Sequence, residues 1–438
     1  VTGVQTCALP ISRFLCAEPA LLVADTGGTT TDIARLEHGV PRLAASGATV
    51  GGWRTMVRAV DVRSVALGGD GELSVTPDGG FRLGSRRAVP LALLAWRHPA
   101  LLATLRAQLA APRPSSHDAR FVLPHRPPTA AALVRLGAPE RALLERVSRG
   151  PVALGELFAE RSRERALERL ERAGLVLLGA FTPSDASHLD GRQSDWERAA
   201  SELGARLLIR GAGASVAEDP RFASAEAFAR AVCRHVSECV ALALVDAVAA
   251  DTIASGRGRG LDAETGLTPA QRELVQRGFA SVGEGTDSPE AAPLLDVRLR
   301  LGLPIAGLGA PAASYYALAA RLLDTRALLP EHGDVANALG AVVGHVRQTV
   351  QVTIVAAGEV RVRVLLPEGP VLRDTLEDGV SLATHEASER ATALARGAGV
   401  GEVLLHVGRE DDRIDRDGMV IFLESRVTVV ASGRPASG

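Results

Sequence analysis

Residues 21–36 read LLVADTGGTTTDIARL: a short apolar run, a glycine pair, and a second run that opens on β-branched residues. An apolar strand that reaches Asp-Thr-Gly-Gly must turn there, because paired glycines supply positive-φ backbone conformations that other residues resist. The spacing predicts a β-hairpin with Asp25 and Asp32 flanking its tip. Gly27 and Gly28 let the backbone come close to a ligand. Their N–H groups, with the hydroxyls of Thr29, Thr30 and Thr31, are expected to form a donor-rich nest for phosphate oxygens. Asp25 and Asp32 are hard oxygen donors suited to Mg²⁺, directly or through water, and Asp25 is also a candidate catalytic carboxylate. The competing interpretation is an ordinary threonine-rich hairpin without a ligand.

Composition removes several other chemistries. The 49 basic residues are all arginine. A P-loop, which sets a lysine on its phosphates, and Schiff-base catalysis, which needs an amine, are therefore excluded in this chain. A net charge of −2 offers no basic excess for nucleic acid or for an anionic membrane surface. The most apolar stretch, PLALLAWRHPALLATL, is interrupted by Arg97 and His98, so no transmembrane helix is expected. Four cysteines, at positions 7, 16, 233 and 239, contain no CxxC pair and are too few for a disulfide scaffold. A reducing, cytoplasmic setting fits that usage.

The first eleven residues, VTGVQTCALPI, lack the basic start and long apolar core of a signal peptide. They are read instead as a translated sequencing-library adapter, which sets residues 1–11 outside any fold and implies that the natural polypeptide continues upstream.

Beyond that point five segments are expected. Residues 12–128 form the glycine-rich β part of a nucleotide-binding domain, with GELSVTPDGGFRLGS as a hairpin around Pro77-Asp78-Gly79-Gly80. Within it, residues 90–128 read as a helix followed by a loop or linker. Residues 129–192 hold a helical, winged-helix-like insert, with Leu143, Leu144, Val147, Leu154, Leu157, Phe158, Leu167, Leu170 and Leu175 at three- and four-residue steps. Its arginines are balanced by Glu160, Glu164, Glu168 and Glu171, which favours a packing module over DNA binding. FTPSDASHLDG (181–191) reads as a polar loop with a helix start at Thr182-Pro183. Residues 193–345 return to helices and α/β structure, with helices over 195–206 and 223–254 and a loop over 255–290. Residues 346–438 form a small α+β domain.

Three further constellations accompany the hairpin. Gly307-Leu-Gly309-Ala310-Pro311 ends an apolar strand and opens a helix, a turn small enough for an adenine or ribose to approach. In Pro330-Glu-His332-Gly-Asp334-Val-Ala-Asn337, Asp334 and Asn337 are three apart and can share a helix face, with helix capping by Asp334 as the alternative. Asp61 and the turn Gly68-Gly69-Asp70 are candidates to line the same cleft, either aspartate serving as a base or a magnesium ligand, against a plain β-turn. His235 and Cys239 sit four apart on a helix but make only half a zinc site. Thr182, Ser184, Asp185 and His188 suggest loop and capping roles rather than a catalytic triad.

Taken in order, LLVADTGGTTTDIARLEHGVP, VGGWRTMVRAVDVRSVALGGDG, FTPSDASHLDG, LPIAGLGAPAASYY and PEHGDVANALGAVVG resemble the hydantoinase/oxoprolinase family, as does the tail ending ESRVTVVASGRP. The resemblance implies an α/β, ribonuclease-H-like half of the actin/sugar-kinase/Hsp70-type fold, in which two halves each give a glycine hairpin to a nucleotide cleft. Residues 25–32 resemble the hairpin of the second half. The resemblance further implies ATP and Mg²⁺ as cofactors, a small cyclic amide as substrate, and a second, hydantoinase B-type subunit as partner. ATP would phosphorylate the ring carbonyl oxygen so that water can attack, and the chain taken by itself is expected to be inactive. An acetone- or acetophenone-carboxylase-type subunit of the same family and a non-catalytic nucleotide-binding scaffold are the alternatives. The short stretch after GGDGEL and the helical insert depart from the family pattern and leave the substrate open.

Overall fold

The computed structural model describes residues 16, 18–37, 40–44, 49–50, 53–54, 59–157, 162–213, 216, 218–254, 267–282, 297–343, 346–358, 360–416 and 419–433. Residues 1–11 and Phe158 lie outside the described residues. The chain divides into two units, Val1–Asn337 and Ala338–Gly438.

The first unit holds a mixed sheet. Strand β1 (Ala20–Thr26) is buried from Leu21 to Thr26, as its unbroken apolar run requires of a central strand covered on both faces. It pairs antiparallel with β2 (Thr31–Glu37), which in turn pairs with β3 (Val40–Pro41). Two short ribbons follow, β4 (Leu43–Ala44) with β7 (Ala59–Val60) and β5 (Thr49–Val50) with β6 (Trp53–Arg54). Strand β8 (Val62–Val65) then returns along β2. On its other edge β1 pairs in parallel with β14 (Ile305–Leu308), which pairs in parallel with β15 (Ala327–Leu328). The resulting order is β15-β14-β1-β2-β3.

A second sheet in the same unit has the order β12-β11-β13-β10-β9. Strands β9 (Gly71–Val75) and β10 (Phe81–Pro90) form the predicted hairpin. Thr76 N–H donates to the Gly80 carbonyl at 2.8 Å, and Gly79 takes φ +78°. Helices α1 (Leu91–Arg97) and α2 (Leu101–Ala110) follow. The stretch expected as loop after them contains strand β11 (Phe121–Pro124), which pairs with β12 (Val152–Ala153) and β13 (Val176–Ala180). Its apolar run is too short to show a period, and pairing on both edges supplies what local pattern could not.

The helical insert comprises α3 (Ala130–Arg135), α4 (Ala138–Val147), α5 (Leu154–Leu157) and α6 (Ser162–Arg172). Leu143, Val147, Leu154, Leu157, Leu167, Leu170 and Leu175 meet in one core with Val122 and Val176. The insert is not separate from its surroundings, because β13 runs parallel to β10, with Ala88 opposite Leu178.

FTPSDASHLDG is not a loop. Residues Pro183–Leu189 form helix α7, and each of the seven is buried. Its polar side chains are consumed internally: Thr182 caps the helix in a capping box with Asp185. Helices α8 (Arg198–Ala212) and α9 (Ala225–Ala254) surround it. Helix α10 (Pro269–Ser281) falls within the stretch expected as loop. Its start was marked by Thr268-Pro269 and by Gln271, which complete a second capping box. Helix α11 (Ala312–Leu322) follows β14, and α12 (Ala336–Val343) follows a 3₁₀ turn at Gly333–Val335.

The second unit is a five-stranded antiparallel sheet of β16 (Val346–Ala356), β17 (Val362–Leu366), β18 (Gly369–Arg373), β19 (Leu404–Arg416) and β20 (Met419–Gly433), in the order β18-β17-β16-β20-β19. Helix α13 (Leu376–Gly397) covers one face. Ala383, Ala387, Ala391 and Ala395 recur every fourth residue, so one helix face is lined with methyl groups and sits close against Ile354, Val364, Val427 and Val429. Among the described residues no helix is long and apolar enough to cross a membrane.

Candidate functional site

Cross-strand register decides what the hairpin presents. Asp25 pairs with Asp32, and Thr26 with Thr31. Because side chains alternate along a strand, the two carboxylates share one face of the sheet and the two threonines share the other. Both carboxylates are buried, Asp25 at 9% exposure and Asp32 at 6%. Asn337 Nδ2 donates to Asp25 Oδ2 at 2.8 Å, and Ser64 Oγ donates to Asp32 Oδ1. Burial pushes the Asp25 carboxyl above its usual range; the Asn337 hydrogen bond opposes that rise and the neighbouring Asp32 charge adds to it.

On the opposite face, Thr26 Oγ1 lies 3.0 Å from Thr31 Oγ1 and 2.6 Å from the Tyr316 hydroxyl, while Thr31 Oγ1 donates to the Leu67 carbonyl at 2.7 Å. Thr31 is fully buried. Its hydroxyl is thus committed to the core and does not join a phosphate nest, contrary to the expectation from sequence. The Gly27 N–H is committed as well, closing the turn on the Thr30 carbonyl at 2.8 Å. Thr29 and Thr30 remain at the tip, half-buried.

The second glycine turn packs directly on the first. Gly69 N–H donates to the Gly27 carbonyl at 3.1 Å and Asp70 N–H to the Gly28 carbonyl at 2.7 Å. A Cβ at Gly68 would strike the Gly28 backbone, so the two turns approach to a distance only glycine allows. Asp70 then lies beside the hairpin tip, its carboxylate against the face of Gly28. Arg87 donates to Asp70 Oδ2 from Nε at 3.2 Å and approaches the same oxygen with Nη2 at 3.1 Å. Ser184 Oγ donates to the Gly69 carbonyl at 2.9 Å and lies 3.4 Å from Asp70 Oδ1. Burial raises the Asp70 carboxyl above its usual range, and Arg87 and Ser184 oppose the rise.

The turn after β14 completes the cluster. Gly309 adopts φ +92°, and a Cβ there would meet the Thr26 carbonyl. Its N–H donates to the Gly333 carbonyl at 2.9 Å, which ties the third loop to the fourth. Pro311 packs on Gly69: its Cβ lies 3.6 Å from where a Gly69 side chain would begin. Gly307 faces the Tyr316 ring, and Ala310 is exposed. Four loops therefore meet where β1 and the parallel β14 both end, the position at which open α/β sheets collect their ligands.

Two predicted residues are elsewhere. Asp61 is exposed, and the β2–β8 register sets Ser64 opposite Asp32 and Val62 opposite Ala34, so Asp61 lies at the far end of that strand pair from the tip. Asp334 is exposed on the 3₁₀ turn and does not share a helix face with Asn337. Three residues of the cluster were not anticipated. Arg87 and Ser64 stand on strands in sequence stretches without a motif. Ser184 belongs to the segment assigned to capping, and Asp185 beside it does cap: its buried carboxylate accepts from Leu91, Ala92 and Thr182 N–H at 3.0, 2.7 and 2.9 Å. Burial pushes Asp185 up to about 6, against the pull of those N–H groups.

Among the described residues no three His, Cys, Asp or Glu side chains group closely enough to hold a metal by themselves. Magnesium is commonly held by one or two carboxylates with water and phosphate completing its shell, and Asp25 with Asp32 meets that need. The buried Oδ1 of Asn337 has no hydrogen-bond partner and adds a hard oxygen donor beside them.

The hydantoinase/oxoprolinase family model matches residues 10–91, which contain the hairpin and the Gly68–Asp70 turn. No curated protein matches the chain. Among solved structures, a nucleotide-free acetone carboxylase is 12% identical, with a TM-score of 0.48 over 98% of this chain and 49% of that one. An ATP-dependent caprolactamase from Pseudomonas jessenii is 12% identical, with a TM-score of 0.41 over 97% of this chain and 48% of that one. The chain spans about half the length of these solved structures.

Proposed function

We propose that this chain, which carries a hydantoinase/oxoprolinase segment over residues 10–91, supplies half of a magnesium-nucleotide site to an ATP-dependent enzyme that opens a small cyclic amide. The observation that carries the proposal is the Asp25–Asn337 hydrogen bond, which joins the hairpin to the first turn of helix α12 at the carboxyl end of β1. A buried acid pair, an unpartnered amide oxygen and turns that tolerate no Cβ make a cradle rather than a plain hairpin. The sheet order supports a ribonuclease-H-like half: an antiparallel meander of β1, β2 and β3, then β14 and β15 parallel to β1.

In this proposal Asp25, Asp32 and the Asn337 amide oxygen would hold magnesium, and Thr29, Thr30, Gly28 and Gly68 would border the phosphates. When bound, the nucleotide would supply a phosphoryl group to the amide carbonyl oxygen, which opens the carbonyl carbon to attack by water, and the ring nitrogen then leaves with a proton as the C–N bond breaks. The protein's part is to orient: Asn337 fixes the Asp25 carboxylate and Ser64 fixes Asp32, so neither has to reorganise as charge develops. Asp70, kept more basic than an ordinary carboxylate by burial, is the group suited to hold a proton during ring opening. Gly307, Gly309 and Pro311 would border the adenosine. A second, B-type subunit completes the enzyme, and its setting is cytoplasmic.

The test is ATP turnover by the protein that carries this chain together with the other half of its nucleotide site, with its partner subunit, in the presence and absence of a hydantoin or 5-oxoproline. Ring opening coupled to ATP hydrolysis, lost in Asp25→Ala and Asp32→Ala, is expected. Ring opening without an ATP requirement would overturn the proposal, and ATP turnover that depends on bicarbonate and a ketone would move the chain to carboxylation.

A further inference from the structure

The cluster of four loops carries three carboxylates, Asp25, Asp32 and Asp70, and the chain has no lysine. A polyphosphate entering such a site meets net negative charge, which a metal ion offsets only in part. Among the described residues Arg87 touches the cluster: its Nε and Nη2 both end on one oxygen, Asp70 Oδ2, and that oxygen lies against Gly28 at the hairpin tip.

The form of this contact is informative. A guanidinium paired with a carboxylate frequently places two parallel N–H bonds on its two oxygens. Here both donors crowd onto one oxygen, and the second Asp70 oxygen faces Ser184. The Arg87 side chain is 65% exposed, against 17% for Asp70, so the pair sits at the solvent side of a buried acid and contributes little to stability. The β9–β10 register also shifts between Leu83 and Arg87, which sets Arg87 opposite Gly71. Bulges and irregularities of this kind are over-represented beside functional sites. The preceding Arg86 goes the other way and pairs with Glu171 at 3.2 Å.

We propose that Arg87 is a phosphate-binding residue of this site, parked on Asp70 in the empty protein and transferred to the nucleotide's terminal phosphates on binding. The transfer releases Asp70 from its cation at the moment a substrate amide is activated beside it. This inference rests on the proposed nucleotide site.

Equilibrium binding of Mg·ATP and of adenosine to the protein that carries this chain together with the other half of the nucleotide site tests it, in wild type, Arg87→Gln, Arg87→Lys and Arg86→Gln, each checked for cooperative melting. Arg87→Gln is expected to weaken Mg·ATP by about tenfold or more while adenosine binding stays within about twofold, because only the charge-assisted contact is lost. Arg87→Lys recovers part of the loss, and Arg86→Gln resembles wild type. Mg·ATP binding by Arg87→Gln within about twofold of wild type overturns the inference and leaves the nucleotide site standing, since such a small change is below what one charge-assisted bond provides. Equal weakening of ATP and adenosine also overturns it. A wild-type protein with both halves of the site present that binds no Mg·ATP overturns the nucleotide site and this inference together.

Discussion

Asn337 donates its side-chain amide to the carboxylate of Asp25 at 2.8 Å, across 312 residues of chain. One partner lies at the end of strand β1 and the other in the first turn of helix α12, so the bond reports on whether the whole first unit has closed. The oxygen of the same amide is buried and has no hydrogen-bond partner. It serves as both a strut and a prospective ligand.

Asn337→Ala removes the donor and leaves Asp25 beside Asp32 without compensation. A loss of about 1–3 kcal/mol is expected, as for a buried charged group deprived of its hydrogen bond. Denaturant unfolding measures it. Asn337→Asp should be worse at neutral pH and should recover when magnesium is added; recovery by magnesium is the part that a purely structural role for Asn337 does not produce.

The hydroxyls of the hairpin separate by face. Thr31→Val removes a donor to the Leu67 carbonyl and should cost about 1 kcal/mol of stability with unchanged nucleotide affinity. Thr29→Val and Thr30→Val should show the reverse, weaker Mg·ATP binding at near-constant stability. Calorimetric titration beside thermal melting distinguishes the two patterns, and a loss of affinity confined to Thr31→Val would contradict the assignment of faces.

Gly309 combines φ +92° with a Cβ position occupied by the Thr26 carbonyl. Gly309→Ala should therefore destabilise by about 2 kcal/mol or more, the strain of a left-handed backbone added to a collision with main chain. Gly302, around which nothing lies within 4 Å, is the control: Gly302→Ala should be close to neutral in urea unfolding.

Asp185 makes stability depend on pH in an unusual direction. Its folded value, about 6, lies above the ordinary 3.8, so the native state holds this proton more tightly than the unfolded chain does. The contribution is fully present below about 3.8 and is lost as pH rises through about 6, a fall of about 3 kcal/mol at about 1.4 kcal/mol per pH unit. Asp185→Asn has no such titration. The stability of wild type relative to Asp185→Asn should decline across that window and stay flat above it; a difference that grows with pH would mean that the three N–H donors outweigh burial.

How far the site was legible in the sequence follows from which interactions are local. The hairpin was legible because an apolar run, two glycines and β-branched residues are all within sixteen positions, and the Gly68–Asp70 and Gly307–Pro311 turns announced themselves in the same way. The assignment of Thr31 to the phosphates failed for a reason also present in the sequence: if Asp25 and Asp32 share a face across a tight turn, Thr26 and Thr31 must share the other. The capping role of Asp185 was legible, but the burial of the segment and the contact of Ser184 with the Gly69 carbonyl were not, because polar residues usually mark an exposed loop. Arg87 was not legible at all. Its position depends on a shift in strand register and on a carboxylate seventeen residues away, and neither leaves a motif. Strand β11 was hidden likewise, since four residues between polar stretches acquire their conformation from neighbours on either side.

Thr26 and Tyr316 touch at 2.6 Å although 290 residues separate them. At ordinary ribosomal rates of about 5–20 residues per second, the first of the two waits about 15–60 s for the second to be made. During that interval β1 can pair with β2 but has no β14 on its other edge, and an apolar strand with one open edge is what chaperones and aggregation compete for. The parallel seam that gives this protein its cradle therefore also makes it a slow folder, and yield during synthesis should respond more to residues along the β1–β14 seam than to any other part of the first unit.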